Sequence, residues 1–487
     1  MKLNFDNSLA REFPGLCRPS RPAMPSRPRL LLFNAGLADS LSKDAVPTKC
    51  SKLTDLLSGQ IDFAGSQPVA TAYAGHQFGR YASLLGDGRA VLLGEVVTPG
   101  EGRIDLQLKG SGTTPFSDGA DGKLAIGPAL REYVVSEAMH ALGVPTTRSL
   151  GVALTGDIVE RDTDLPGAIL ARTAKAHLRI GTFQYAAKAL GPGETRRLAD
   201  YAIDRLFPEA RACDNPYLAL FERVMDAQIE TTVKWMSVGF VHGVMNTDNC
   251  AITGETLDYG PCAFIDGYSK HARFSSIDVF GRYAFGNQPN ICRWNLAKLA
   301  SALMHAVNSA SGDGLARLGG LLEDFPQRYG ERWVAAMRAK LGLCTKHDGD
   351  ITLIKDLFAI MEGEDVDYTT LFRTLADVPL QGAGAVTAMF SNHMPIEHWL
   401  ENWINRIGQE GQSMVERRAA MNSVNPIYIA RNHKVEDALN AAQRGDIKPT
   451  KRLLAAVTSP FEGKPDLKEF AKPAPADQGQ YVTFCGT

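Results

Sequence analysis

Residues 242–260, "HGVMNTDNCAITGETLDYG", hold the densest group of side chains able to do chemistry. Asn246, Asp248 and Asn249 crowd within four residues, and Asp258 follows nine residues after Asn249. Carboxylate and amide oxygens are the ligands that Mg²⁺ and Mn²⁺ prefer in proteins. The spacing therefore predicts a metal site formed by Asn249 and Asp258. The competing explanation for "NTDN" is a plain turn, since Asn and Asp both favour turns.

The same stretch has an acid missing where phosphate-transfer chemistry would place one. In phosphotransferases of the kinase-like fold an Asp directly follows His-Gly or His-Arg, and an Asn five residues later binds metal. In this chain the metal position falls on Asn249, but the position of the acid falls on Val244, which cannot accept a proton. Asp248, beside Asn249, is the carboxylate available in this loop.

Phosphate-binding residue types occur earlier in the chain. "LLGDGRAVLLGEV" places Gly86, Gly88 and Arg89 at a turn before an apolar strand, and "DLQLKG" ends a second strand with Lys109. Glycines let backbone N–H groups approach phosphate oxygens, and a strand lysine adds a compact positive charge. Taken singly, these features are also typical of an ordinary hairpin turn and a solvated edge-strand lysine.

Two further sets of charged residues follow. Glu132 and Glu137 on the next predicted helix could each pair with Lys109, and spacing alone does not choose between them. Between the two halves of the chain, "ILARTAKAHLRIGTFQY" carries Arg172, Lys175 and Arg179. Arg172 and Arg179 would share one face if this segment is helical, and either could meet triphosphate oxygens. Salt bridges to surface acids are the alternative.

The elements that must position these residues can be read from periodicity and from Gly and Pro. A Pro-rich, extended surface segment is expected at 17–30, and a C-terminal half rich in helices follows a β-rich first part. The predicted elements are a hairpin over 86–110, a glycine-rich loop at 111–127, a helix at 128–142, a second hairpin formed by 149–156 and 167–174, helices at 217–238, 294–309 and 396–420, and an irregular tail from 472.

Composition narrows the class of protein. The chain has 487 residues, 44% hydrophobic and 22% charged, which is typical of a globular protein with more than one subdomain. A net charge of -2 gives no global field that favours nucleic acid or an anionic membrane. No apolar run reaches the length of a membrane span or a secretory signal, and the eight cysteines form no CxxC pair. A cytoplasmic setting is the default, and a monomer is expected.

Several long motifs together resemble the selenoprotein O family, also called YdiU-type proteins. They are "YAGHQFGRYASLLGDGRAVLLGEV", "LQLKGSGTTPFSDGADGKLA", "LREYVVSEAMHALGVPTTRSL", "GFVHGVMNTDNCAITGETLDYGPCAFID" and "NPIYIARNHKVEDAL". The resemblance covers about 60–300 and 390–440 most clearly, and the whole length fits. It implies transfer of AMP from ATP to Ser, Thr or Tyr hydroxyls of proteins, with release of pyrophosphate.

The resemblance also implies a fold. An α+β, protein-kinase-like bilobal fold is expected, with a small β-rich N-lobe and a larger, mostly helical C-lobe. The expected divisions are an N-terminal extension at 1–60, the N-lobe at 61–165, the C-lobe at 166–470 and a tail at 471–487. Because AMP transfer needs attack at the α-phosphorus, the nucleotide would lie reversed relative to a phosphorylating kinase, with its γ-phosphate in a basic pocket.

Carried over residue by residue, the resemblance assigns a role to each motif position. It implies Asp248 as the base, Asn249 and Asp258 as ligands of Mg²⁺ or Mn²⁺, and Glu132 as the partner of Lys109. The positions implied for ATP are Gly86, Gly88, Arg89, Lys109, Asp121, Gly122, Arg172, Arg179 and Asp258.

Three questions stay open at this point. A conventional kinase is one alternative function, but Val244 at the position of the acid argues against it. A catalytically silent nucleotide-binding scaffold is another, but the presence of Asp248, Asn249 and Asp258 argues against it. Relatives carry selenocysteine or cysteine near the C-terminus, and here "TFCGT" places Cys485 there. The resemblance, with cysteine in place of selenocysteine, therefore implies a bacterial, cytoplasmic protein. Some relatives are thought to pair this residue with a cysteine in the loop after Asp-Tyr-Gly. In this chain that loop has none, so redox control and a partnerless thiol are equally expected.

Overall fold

The computed structural model describes residues 3–42, 51–100, 102–475, 479 and 481–483. Within them the chain combines one large β-sheet with many helices, so the α+β class expected from the sequence is confirmed. Cys485, on which the redox question depends, lies outside the described residues.

The large sheet is antiparallel throughout the part of the chain that is described. Its strands run in the order β1-β3-β6-β7-β10-β9-β2, and β8 pairs with β10 beside this path. Two small two-stranded sheets, β4-β5 and β11-β12, lie apart from it. The strands are β1 (Cys17–Pro19), β2 (Arg29–Phe33), β3 (Val69–Thr71), β4 (Gly75–Gln77), β5 (Arg80–Ala82), β6 (Ala90–Thr98), β7 (Gly102–Lys109), β8 (Leu124–Ala125), β9 (Arg148–Glu160), β10 (Asp164–Ala174), β11 (Phe240–Val241) and β12 (Ala263–Phe264).

Both predicted hairpins are present. The first spans 90–109, within the predicted 86–110, and the second is longer than the sequence indicated. Strands β6 and β7 form the first, and β9 and β10 form the second. The alternation of side chains gives the sheet two buried faces. Leu106 and Leu108 of β7 face one core, whereas Gln107 and Lys109 face the other side, where helix 126–141 packs. The hairpin therefore presents Lys109 towards that helix.

The rest of the described chain is mainly helical, as predicted. The helices are α1 (Ser8–Glu12), α2 (Ala35–Leu41), α3 (Ser51–Leu57), α4 (Ile126–Ala141), α5 (Ile180–Tyr185), α6 (Pro192–Leu206), α7 (Pro216–Val238), α8 (Gln288–Ser311), α9 (Gly314–Lys340), α10 (Asp350–Met361), α11 (Tyr368–Leu375), α12 (Val378–Gln381), α13 (Gly384–Thr387), α14 (His393–Gly408), α15 (Met414–Val424), α16 (Asn432–Gln443) and α17 (Lys448–Val457).

Helix α4 joins the sheet to the helical part of the chain. Leu130 and Val134 on α4 share a hydrophobic core with Leu170 of β10 and with residues of α6, α7 and α8. On its far side α4 contacts α16 and α17. Helices α2 and α3 cover the opposite face of the sheet, and α10, α11, α14 and α15 enclose a separate core. Residues on α4 are thus held from both sides.

One conditional helix is absent and one predicted helix needs correction. Arg172 and Arg179 do not share a helix, because Arg172 lies on β10, as the predicted strand 167–174 has it, and Arg179 is the residue that precedes α5. The predicted helix at 396–420 is two helices, α14 and α15. Ser413 breaks it, since its side chain caps the N-terminus of α15 in a capping box with Glu416.

The two ends of the expected extended segment at 17–30 join the sheet, because Cys17–Pro19 pairs with Val69–Thr71 and Arg29 begins β2. Between these strands, residues 20–28 are largely exposed, in agreement with the predicted course over the surface. In the described part of the chain, no helix is both long and apolar enough to cross a membrane.

Candidate active site

The residues proposed from the sequence for ATP, metal and catalysis meet in one place. They line a single cavity of about 460 Å³, which is within the usual size range for a site that holds a small ligand. The predicted residues on its wall are Gly86, Gly88, Arg89, Lys109, Asp121, Gly122, Arg172, Arg179, Asp248, Asn249 and Asp258. Glu132 lies behind this wall, in a neighbouring cavity that shares Arg89, Lys109 and Asp258 with the first.

Lys109 pairs with Glu132. Its Nζ lies 2.7 Å from Glu132 Oε2, and the side chains are 7% and 3% exposed. Burial raises the pKa of the Glu132 carboxyl, but Lys109 and Arg172 outweigh that effect and the pKa is lowered overall. An ionised Glu132 therefore fixes the ammonium group of Lys109 at the edge of the cavity.

Arg172 is held by the same carboxylate from a neighbouring strand. Its Nη1 donates to Glu132 Oε1 at 2.6 Å, and its Nε and Nη2 donate to Gln107 Oε1 at 2.9 and 2.7 Å. This geometry follows from the sheet, because Arg172 lies opposite Gln107 in the β7-β10 pair. The strand position, which the predicted strand 167–174 already indicated, is thus what brings Arg172 to Lys109.

Glu137, the other glutamate on α4, points away from Lys109 and towards Arg148 and Asn34. It accepts hydrogen bonds from Arg148 Nε at 2.9 Å and Arg148 Nη2 at 2.8 Å, and from Asn34 Nδ2 at 2.8 Å. Five residues separate Glu132 from Glu137, so the two side chains leave the helix about 140° apart. The choice that spacing left open is resolved by the direction in which each points.

Asp258 meets Lys109 from the opposite side of the cavity. Its carboxylate accepts a hydrogen bond from the Nζ of Lys109. Burial raises the pKa of Asp258, but Lys109, Arg89 and Arg172 lower it by more, so the pKa ends far below its ordinary value. Asp258 also has a φ of 70°, a left-handed conformation that Asp tolerates better than most residues. Its carboxylate is therefore ionised at any physiological pH.

Asp248 sits in a short 3₁₀ turn, Thr247–Asn249, after strand β11. Its side chain is 7% exposed, and Oδ1 is buried without a hydrogen-bond partner among the described residues. Oδ2 has only a long contact of 3.5 Å with Gln77 Nε2. Burial raises the pKa of this carboxyl to about 6, although Arg179 acts in the opposite direction. Asp248 is thus a carboxylate with unused acceptor capacity.

The side chain of Asn249 is oriented by the backbone of Val244. Its Nδ2 donates to the backbone oxygen of Val244 at 3.2 Å, which leaves its Oδ1 as the group for a ligand in the cavity. The side chain of Val244 is buried and lines the cavity. Val244 therefore contributes an apolar surface and a backbone acceptor, and no acid.

Arg179 connects the two sides of the site. Its Nη1 donates to the backbone oxygen of Asp248 at 2.8 Å, and its Nη2 lies 3.3 Å from Asp87 Oδ1. The guanidinium carbon is 4.3 Å from the ring centroid of Tyr73, within range of a cation–π contact. Arg179 thus holds the loop of Asp248 against the turn between Gly86 and Gly88.

That turn packs tightly on the glycine-rich loop. A Cβ at Gly86 would lie 2.5 Å from Phe116 Cγ, and its φ of 145° disfavours any other residue. Within the loop, Asp121 accepts two hydrogen bonds from Arg161, from Nη1 at 2.9 Å and from Nη2 at 3.0 Å. The two backbone turns therefore form one continuous wall of the cavity.

A divalent cation fits the donor set. Asp258 offers a carboxylate, Asn249 an amide oxygen, and Asp248 a buried oxygen without a partner. No cluster of three or more His, Cys, Asp or Glu side chains suited to a metal occurs in the described ranges. Mg²⁺ is commonly held by one or two protein carboxylates together with phosphate oxygens and water.

Several cavity residues were not identified from the sequence, and four of them contact predicted site residues. Asp87, Tyr73, Gln77 and Arg161 all lie on its wall. Asp87 could have been found, because it stands between Gly86 and Gly88. Arg161 lies on the turn of the second hairpin and carries no local signal, since only the folded chain brings it to Asp121.

Comparisons with known proteins identify the family of this chain. The model of the family described as protein adenylyltransferase SelO matches residues 1–458. The chain belongs to this family. It is 48% identical over 488 residues to a protein nucleotidyltransferase YdiU of Sphingopyxis alaskensis, with 100% of both chains covered. It is also 48% identical over 484 residues to one of Geobacillus kaustophilus, covering 99% of each, and 44% identical over 486 residues to one of Agrobacterium fabrum, covering 100% of each. Members of the SelO family are nucleotidyltransferases, so the cavity is the candidate nucleotide site.

Proposed function

We propose that this protein transfers AMP from ATP to Ser, Thr or Tyr hydroxyls of other proteins and releases pyrophosphate. The observation that carries the proposal is the buried Asp248 Oδ1, which has no described hydrogen-bond partner and belongs to a residue of the cavity wall. An acceptor of this kind suits an incoming hydroxyl group, while Val244 occupies the position of a kinase's acid.

In the proposed reaction the substrate oxygen attacks the α-phosphorus of ATP. A bond forms between that oxygen and the α-phosphorus, and the bond from the α-phosphorus to the oxygen that bridges to the β-phosphate breaks. The hydroxyl proton passes to Asp248, and pyrophosphate leaves with the electron pair of the broken bond. A positioned base of this type contributes roughly 10²–10⁴-fold to a rate.

Cationic groups on the wall would stabilise the departing pyrophosphate. Lys109, Arg89 and Arg179 line the cavity, and Arg172 stands beside Lys109. Lys109 and Arg172 are already oriented by Glu132, so they need little reorganisation when negative charge develops. Fixed donors in a buried site stabilise such charge more than mobile donors in water.

We also propose that Asn249 and Asp258 hold Mg²⁺ or Mn²⁺ against the phosphates. The bound cation would neutralise phosphate charge and orient the reacting phosphorus. Asp258 would then exchange part of its contact with Lys109 for the metal, and Lys109 would turn towards the phosphate oxygens. The carboxylate of Asp258 and the amide oxygen of Asn249 are hard ligands of the type that both ions prefer.

The arrangement of elements supports a kinase-like bilobal fold as a further proposal. The sheet with α4 would form the N-lobe, expected at 61–165, and the lobe would extend to 174 because β10 belongs to this sheet. The expected extension at 1–60 adds β1 and β2 to it. The helical remainder of the expected 166–470 would form the C-lobe, followed by the tail at 471–487. The support is the location of the cavity, whose wall takes residues from the sheet and from the loops beside β11 and β12.

We further propose a monomer that acts in the cytoplasm on protein substrates and binds neither nucleic acid nor membranes. The near-neutral net charge of -2 supports this setting, because it supplies no strong field towards polyanions. Sedimentation velocity of the purified chain tests the monomer.

ATP carrying distinguishable labels at the α- and γ-phosphates tests the proposed activity. Incubation with a mixture of bacterial proteins should transfer the α-label to protein and leave the γ-label in pyrophosphate. Mass spectrometry should then find AMP on a hydroxyl side chain. Transfer of the γ-label would identify a kinase, and binding of ATP without transfer of either label would identify a scaffold.

A further inference from the structure

The loop after the Asp258 turn exposes apolar side chains next to the cavity. Phe280 is 95% exposed, Val279 64% and Ile277 53%. Single exposed apolar side chains are common on protein surfaces, but three large ones within four residues form a continuous apolar patch. We call Ile277, Val279 and Phe280 the apolar tip.

The apolar tip is continuous with the candidate active site. Ile277 lines the same cavity as Asp248. Phe280 lies three residues further along the loop, so its Cα is at most roughly 10 Å from that of Ile277. A chain whose hydroxyl reaches Asp248 would therefore pass the apolar tip within a few residues of the modified position.

The loop is held in place and is not a loose excursion. The carboxylate of Asp278 accepts hydrogen bonds from the backbone N–H groups of Arg282 and Tyr283, both at 2.8 Å. Tyr283 in turn donates its hydroxyl to Asn246 Oδ1 at 2.6 Å, in the loop that carries Asp248. The loop of the apolar tip is thus linked by hydrogen bonds to the loop that carries Asp248.

The surroundings of the apolar tip are strongly basic. Residues 267–298 contain five Lys and Arg residues and one acid, Asp278, although the whole chain has a net charge of -2. Three of these cations lie around the apolar tip or on the helix beside it, and we call Arg273, Arg282 and Lys298 the basic rim. Asp278 is buried and engaged with backbone N–H groups, so it does not neutralise them.

The basic rim is organised by an aromatic side chain. Arg282 and Lys298 lie over the ring of Trp294, at 4.7 and 4.5 Å from its centroid. Trp294 also contacts His76 at 5.3 Å between ring centroids, which joins the rim to strand β4 and to Gln77. Among the described residues, no carboxylate forms an ion pair with Arg273, Arg282 or Lys298. Their charges are therefore available to a partner.

Building on the proposed function, we infer that the apolar tip and the basic rim together form the docking surface for the protein substrate. The segment they fit carries an apolar side chain flanked by Asp or Glu, a few residues from the modified hydroxyl. The apolar side chain packs on Phe280, and the acids face the basic rim. This combination of a buried aromatic anchor with complementary charge is a common basis of protein recognition.

Short synthetic peptides test this surface directly. Each contains one Ser, and one series places Phe between Glu residues at varied distances from it. Matched series replace Glu by Lys, or Phe by Ser. Binding is followed by fluorescence anisotropy of the labelled peptide in the presence of a non-hydrolysable ATP analogue, and transfer is followed with α-labelled ATP.

The acidic apolar series should bind tightest, and its affinity should fall as salt is raised, because exposed charges are screened. Phe280→Ser should weaken its binding by about tenfold or more, as expected for loss of a buried aromatic contact. Lys298→Glu should weaken the Glu series and strengthen the Lys series. In transfer assays both changes should raise KM and leave kcat nearly unchanged, with the affinity for the ATP analogue unaffected.

Two variants outside this surface serve as controls. Val415 on α15 is 68% exposed, and Lys451 on α17 is exposed without an ion-pair partner in the described chain. Val415→Ser removes an exposed apolar side chain, as Phe280→Ser does, and Lys451→Glu makes the same charge reversal as Lys298→Glu. Both controls should leave peptide binding as it is in the unaltered protein.

The outcomes separate docking from chemistry. Unchanged peptide binding in Phe280→Ser, or tighter binding of the Lys series to the unaltered protein, would overturn the docking surface. Sedimentation that shows a dimer lost in Phe280→Ser would also overturn it, since a second copy would then cover Phe280. Binding of the acidic apolar series without transfer of the α-label would support docking and refute the proposed activity.

Discussion

Gly75 lies against the carboxylate of Asp248 so closely that a Cβ at position 75 would come within 2.3 Å of Oδ1. The segment that carries Gly75 is fixed at two further points to residues 246–249, the loop that contains Asp248. The backbone N–H of His76 donates to Thr247 Oγ1 at 2.7 Å, and that of Phe78 donates to Asn246 Oδ1 at 3.0 Å. The β4-β5 hairpin is therefore a rigid wall that sets the position of the proposed base.

Replacing Gly75 by Ala should displace the Asp248 side chain. Because a misplacement of about 1 Å can cost 10²-fold in rate, we expect transfer of AMP to fall by roughly that factor. ATP binding should change little, since Gly75 does not line the cavity. Single-turnover transfer of α-labelled ATP and calorimetry with an ATP analogue measure the two quantities. Gly319→Ala, in α9 where a Cβ meets nothing within 4 Å, is the control, and an equally active Gly75→Ala would contradict this role of the hairpin.

The two glutamates of α4 make a matched pair. Glu132→Gln leaves Lys109 and Arg172 without their shared carboxylate, and breaking a buried pair of this kind costs about 3 kcal/mol or more. AMP transfer should fall at least about tenfold, because Lys109 is no longer oriented towards the phosphates. Urea denaturation and label transfer report the two effects.

Glu137→Gln should behave differently. It loses the pair with Arg148, whose side chain is 23% exposed, so the loss of stability should be smaller. Transfer of AMP should remain close to that of the unaltered protein, because Glu137 does not contact Lys109. A Glu137→Gln variant with the larger defect in transfer would reverse the assignment.

Asp258→Asn should raise the concentration of Mg²⁺ or Mn²⁺ required for transfer. A neutral amide is a weaker ligand than a carboxylate, and the lost charge also frees Lys109 from its second partner. We expect a rate reduction of about 10² at low metal, partly restored by excess metal. Metal titration of label transfer measures this shift. Asp118→Asn, on the exposed part of the glycine-rich loop, is the control, and the same metal requirement in both variants would argue against Asp258 as a ligand.

Lys340, which lies away from the candidate active site, should make the free energy of unfolding depend on pH. It is 3% exposed at the end of α9, its Nζ lies 4.2 Å from the ring centroid of Phe372, and burial lowers its pKa to about 7. Between pH 7 and the ordinary lysine value, the unfolded chain binds a proton that the folded chain lacks. The contribution of Lys340 to the free energy of unfolding should therefore rise by about 1.4 kcal/mol per pH unit in that window.

Lys340→Met removes the buried charge and keeps the length of the side chain. The variant should be more stable than the unaltered protein near pH 7, and the difference should shrink as the pH is raised. Urea denaturation across this range measures the difference. A difference that does not depend on pH would mean that Lys340 stays protonated in the fold.

The local elements around the site could be predicted because their signals are local. Helix α4 has Pro128 in its first turn and Gly143 just after its end. The turn of the first hairpin is marked by Pro99 and Gly100. The glycine turns and the loop after β11 were also recognisable from the spacing of their residues. These features do not depend on which distant segment packs against them.

Other features depend on contacts between distant segments. Glu132 is selected over Glu137 by strand register and by Asn34 and Arg148, which lie 103 and 11 residues from Glu137 along the chain. Arg172 fell within a predicted strand, but its spacing to Arg179 also fitted a shared helix face, and the pairing of β10 with β7 and β9 decides between the two. Sequence alone therefore indicated the residues of the site more reliably than the way in which the fold holds them.

The central claim is that Asp248 has taken over the proton transfer for which Val244 is unsuited. Its most direct test is the single-turnover rate of AMP transfer by Asp248→Asn at saturating ATP and metal, on an acceptor that the unaltered protein modifies. The account predicts a rate lower by about 10²–10⁴-fold with ATP affinity unchanged. Transfer by Asp248→Asn at the rate of the unaltered protein would contradict it.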